Sequence, residues 1–98
     1  MSHRVLLRRE AQDDLNDAAA WYEEQRRGLG GEFLDQSLEA LGRIGANPLA
    51  FPTVYQGLRR SLMQRFPFAI YYRVEPEVVS VVAIMHGSRS PTAWKVRT

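Results

Sequence analysis

The sequence predicts a small α+β domain in the order β-α-α-β-β-β, with a helical hairpin packed on one face of a mostly antiparallel sheet. Two amphipathic helical stretches follow a short strand, Asn47-Pro48 stops them, and a period of two takes over from Gly57. A chain of 98 residues is long enough for one core and too short for two, so residues 1–98 read as a single domain.

Residues 4 to 7, RVLL, have the composition of a short strand, and Arg8 to Asp14 lead into the first helix. There Leu15, Ala18, Ala19 and Tyr22 recur at helical spacing, with Trp21 at the border of the stripe and Asp13, Asp17 and Glu24 off it. The stretch RRGLGGEF interrupts the pattern; Leu34, Leu38, Leu41 and Gly45 then resume a stripe until Asn47-Pro48. From Gly57, Arg59, Ser61, Met63 and Arg65 alternate with Leu58, Arg60, Leu62 and Gln64. After the RFPF turn, Phe68, Ile70, Tyr72 and Val74 alternate with Ala69, Tyr71, Arg73 and Glu75, and EPE turns the chain again. Val78 to Met85 is β-branched and nearly all apolar, as in a central strand covered on both faces. In this register Arg59, Arg65 and Arg73 face away from the helices, and Arg60 shares parity with Leu58 and Leu62. Tyr71 and Tyr72 fall on opposite faces, so at most one is expected in the core.

With no cysteine, disulfides and thiolate metal sites are excluded, and with only His3 and His86 no metal site is expected. No glycine-rich nucleotide motif and no nucleophile elbow occurs, and GLGG at 28 to 31 reads as a turn between helices, so no cofactor is expected. The apolar patch at the start is too brief for a signal peptide or a membrane span, which implies a cytoplasmic protein with no membrane partner. The net charge of +2 is unevenly spread: residues 1–9 carry +3, residues 10–55 carry −6 and residues 56–98 carry +5. That polarity suggests acidic helices behind a basic sheet face, suited to phosphate or to an acidic partner, or else a sheet merely solubilised by long arginines.

His86 stands where the last strand ends, three residues before Arg89. A neutral imidazole there could take a proton from a ribose hydroxyl while Arg89, Arg73 and Arg65 hold the phosphate; equally, a lone histidine beside glycine and serine serves as a structural hydrogen-bonder. Trp94 could stack on a base or cap the sheet. Trp21 and Tyr22 either join the core or line a groove for a partner segment.

Two stretches, AQDDLNDAAAWYEEQRRGLGGEFLDQSLEALGRIGANPLAFP and GLRRSLMQRFPFAIYYRVEPEVVSVVAIMHGSRSPTAWKVR, resemble the toxin half of RelE/ParE-type toxin–antitoxin systems, also called plasmid stabilisation proteins. The most specific parts are Arg59-Arg60, the IYYRVE strand, and His86, Ser88 and Arg89 followed by Pro91 and Trp94. The resemblance implies the same helical hairpin on an antiparallel sheet, and one of two activities. RelE-like members cut messenger RNA in the ribosomal A site, using strand lysines, two arginines and a C-terminal tyrosine. At those places this chain has Arg59 and Ser61, then Ala69 and Arg89, then Trp94 or Lys95. ParE-like members poison DNA gyrase by binding.

The long helices and the Tyr-Arg-Val and His-x-Ser steps look more like ParE. The resemblance thus implies a gyrase-inhibiting toxin without chemistry of its own, held in a hetero-oligomer by a cognate antitoxin that folds across it. On that reading Arg59, Arg60, Arg65, Arg73, His86, Arg89 and Trp94 bind the target, and Trp21 and Tyr22 bind the antitoxin. The alternatives are a ribosome-dependent endoribonuclease using His86, Arg89, Arg73 and Arg65, and an inactive relative that only binds antitoxin.

Overall fold

The computed structural model describes residues 3–98. β1 (Val5–Leu7) leads into α1 (Arg9–Gln25) and α2 (Leu29–Ala46), and a 3-10 turn follows at Pro48–Ala50. Then come β2 (Thr53–Tyr55), β3 (Leu58–Leu62), β4 (Phe68–Val74), β5 (Val79–His86) and the short α3 (Pro91–Lys95). The strands form one sheet in the order β1-β5-β4-β3-β2, with β1 parallel to β5 and the other neighbours antiparallel.

The predicted order holds, with two additions, the edge strand β2 and the helix α3. β2 joins β3 through Gln56 and Gly57, whose φ angles of 44° and 81° are the consecutive positive values that a two-residue hairpin loop needs. Pro91 opens α3, and the Ser90 hydroxyl accepts from the Thr92 N–H at its start.

The helical hairpin is closed by Glu23, whose carboxylate accepts the N–H groups of Gly28 and Gly30 at 2.9 and 3.0 Å and so satisfies the first donors of α2. A Cβ on Gly30 would stand 2.6 Å from the Ala19 carbonyl oxygen, so only glycine lets the helices approach this closely. That contact fixes the rotation of α2. Gly30, Phe33, Ser37, Ala40, Leu41 and Ile44 turn inward, while Leu34 and Leu38, expected on the buried stripe, are exposed, Leu38 by 65%. Ser37 tolerates the core because its hydroxyl donates to the Phe33 carbonyl at 2.8 Å.

On the helix-covered face Tyr22 stacks on Phe33 at 5.2 Å between ring centres, and Phe66 and Phe68 meet both rings edge-on or tilted. Met63, Ile70, Tyr72, Val79, Val81 and Ile84 complete this layer. Burial raises the phenol pKa of Tyr22 and of Tyr72, against a smaller lowering by Arg59 at Tyr72, and the Tyr72 hydroxyl donates to the Pro48 carbonyl at 2.5 Å. On the other face Leu58, Ala69, Tyr71, Val82, Ala83 and Met85 lie under Trp94 of α3, which stacks on Tyr71 at 4.5 Å. Tyr71 and Tyr72 do lie on opposite faces, but both are core, because α3 covers the second face.

The register also corrects the expected parity. Arg59 stands opposite Tyr72 and Arg60 opposite Tyr71, so Arg59 is on the helix side and Arg60 on the other. The reason is cross-strand packing: Ser61 and Met63 fill the helix face, Leu58 fills the second, and the arginines follow.

Candidate functional site

The arginines read as one basic face are dispersed. Arg59 donates to the Phe51 carbonyl at 2.6 Å. Arg65 pairs with Glu32 of α2 at 2.8 Å and lies over the Phe66 ring; Arg26 shares the same carboxylate at 2.9 Å. The hydrogen bonds from Arg65 and Arg26 hold the Glu32 carboxyl below its ordinary pKa. Arg73 donates to the Gln56 carbonyl at 2.7 Å and braces the β2–β3 loop. Trp94, expected at the target surface, is 5% exposed and caps the sheet. Among the described residues, Arg60 and Arg89 are the predicted site arginines whose side chains make no hydrogen bond or ion pair.

His86 lies on the helix side of the sheet, opposite Phe68, whose ring it meets edge-on at 5.5 Å. It therefore lies on the face opposite to Arg60. The Ser88 N–H donates to its Nδ1 at 3.0 Å, and the Ser88 hydroxyl is 2.7 Å from the same atom. A backbone donor on Nδ1 fixes that nitrogen as the acceptor and places the ring proton on Nε2. Across from it stand Trp21, 56% exposed, and Tyr22. The structure thus joins the residues read as antitoxin-binding to His86 and Arg89 in one cleft of about 380 Å³ between α1 and the end of β5, with Asp14, Asp17, Ala18, Phe68, Ile84 and Met85 completing its walls.

Sequence reasoning missed the closure at one end of this cleft. Asp14 accepts from both guanidinium nitrogens of Arg97, at 2.6 and 3.1 Å, and its Oδ2 also accepts the Ile84 N–H at 2.9 Å. Arg97 donates in turn to the Val82 carbonyl at 3.2 Å. The partners are 83 residues apart, and nothing local in either segment signals the pairing.

Of the groups proposed for RNA cleavage, only His86 and Arg89 share the cleft; Arg65 and Arg73 are held elsewhere. Among the described residues no group of three metal-ligating side chains converges, and no helix is long and apolar enough to cross a membrane.

Fold and topology define a RelE/ParE-type α+β domain. The chain belongs to the family described as ParE toxin of type II toxin-antitoxin system, parDE, whose model matches residues 5–91. It is 24% identical over 94 residues to the Toxin ParE2 of Mycobacterium tuberculosis, spanning 95% of this chain and 90% of that one. Among solved structures, the chromosomal ParDE system from P. aeruginosa superposes with a TM-score of 0.78 at 17% identity, covering 87% of this chain and 96% of that one. The RelBE2 toxin-antitoxin complex from Mycobacterium tuberculosis superposes with a TM-score of 0.64 at 18% identity, covering 88% and 99%.

Proposed function

We propose that this ParE-family toxin acts by binding DNA gyrase rather than by cutting RNA, and that a cognate antitoxin neutralises it. The observation that carries the reading is the dispersal of the cations. Arg59, Arg65 and Arg73 are each bonded within the chain at separate places, so they do not converge with His86 on a single phosphate. Binding needs no such convergence.

The surface left for a target is the second face beside α3, where Arg60 stands on β3, Leu62 is 62% exposed, and the Lys95 ammonium sits 4.8 Å from the centre of the Tyr55 ring. Purified toxin added to gyrase and relaxed plasmid is expected to abolish supercoiling, and Arg60→Glu to weaken inhibition about tenfold or more. Undiminished supercoiling at excess toxin overturns the gyrase reading. Codon-positioned cleavage of messenger on ribosomes, lost in His86→Ala, would replace it with the nuclease reading. Absence of any growth defect on induction would leave a relative that only binds antitoxin.

A further inference from the structure

β1 covers the outer edge of β5 only along Val79–Val81, yet β5 continues to His86. The edge beyond is finished by side chains. Arg97 gives an N–H to the Val82 carbonyl and Asp14 takes the Ile84 N–H, which is what one residue of a parallel neighbouring strand would do for the same two groups. The pairing of β4 with β5 then dictates the rest. Because the Ile84 N–H points away from β4, the Ile84 carbonyl and the His86 N–H point the same way, into the cleft beside Trp21. These two groups flank Met85 and form the next unit of a parallel edge.

We infer that the cleft takes one extended segment of the antitoxin, laid parallel to β5 in line with β1. One of its residues, opposite Met85, donates its N–H to the Ile84 carbonyl and accepts the His86 N–H. This rests on the antitoxin reading above and adds to it a place, a direction and a register. The occupant is a flexible chain rather than a folded target, because main-chain groups must enter a cleft of about 380 Å³ between a helix and a strand end. Its side chain at the helical wall is apolar, to cover the half-exposed Trp21, and an acidic neighbour meets Arg89, whose guanidinium has no other charge partner among the described residues. The Asp14–Arg97 pair sets the limit of the segment by occupying the preceding unit of the edge.

The test compares amide hydrogen exchange in the toxin alone with that in the complex purified after co-expression with its cognate antitoxin. The expected result is a slowing at the His86 amide of at least about tenfold in the complex, with the Ile84 amide already slow in both states because Asp14 holds it. Trp21→Ala, at an exposed position that the fold does not need, is expected to weaken the complex about tenfold. A stable complex with unchanged exchange at His86, or with unchanged affinity in Trp21→Ala, overturns the inference and leaves the antitoxin reading standing. Protection of His86 by gyrase and not by antitoxin also overturns it. Absence of any complex removes both readings.

Discussion

The two faces of the sheet are closed in different ways. The helix side is sealed by a cluster to which α1, α2, the β3–β4 turn and β4 each contribute a ring, so that no single element carries it. The second face depends on one tryptophan from a five-residue helix near the end of the chain, stacked flat on Tyr71 and tied down by Arg97 at Asp14. Redundant contacts are expected to hold the first face when one is lost, whereas the second is expected to loosen when its single segment is weakened.

The largest expected effect lies on the redundant face. Phe33→Ala removes the ring that meets Tyr22, Phe66 and Phe68 at full burial, and is expected to cost about 3–5 kcal/mol in urea unfolding. Trp94→Ala is expected to cost less, about 2–3 kcal/mol, because the short helix frays while the layer beneath stays folded. A loss as large as that of Phe33→Ala would show that the second face is equally essential.

A smaller effect of opposite sign sharpens the comparison. The Ser61 hydroxyl is fully buried on the helix side with no hydrogen-bond partner among the described residues, so Ser61→Ala is expected to stabilise by up to about 1 kcal/mol in the same unfolding assay. The smallest effect is acidic. Glu32, its pKa lowered by Arg65 and Arg26, contributes stability that is present above the ordinary carboxylate range and lost as pH falls through the lowered value. Thermal midpoints of the wild type and Glu32→Gln should therefore converge on acidification, and a constant gap would show that the ion pairs are not the cause.

The resemblance and the alternation of residues 57–85 made the sheet legible, and four residues of the cleft were named in advance, yet in two separate groups. Trp21 and Tyr22 stood for one partner and His86 and Arg89 for another; their meeting depends on α1 lying along β5. The sheet arginines were assigned to the wrong side at Arg59 because parity inverts with a shift of one residue, and cross-strand partners alone set it. Leu34 and Leu38 looked as good a stripe as Phe33, Ser37 and Ile44 until the close contact at Gly30 turned the helix.

What the chain determined by itself is local: two helices from their apolar period, strands from alternation after Gly57, and an excess of positive charge over residues 56–98. Only the tertiary structure decided which face each arginine serves, that Trp94 caps rather than docks, and that Asp14 and Arg97 finish the edge of β5. The physical reason is that periodicity fixes the conformation of a segment, whereas its rotation and its distant partners are set by packing against segments that leave no mark on its own residues.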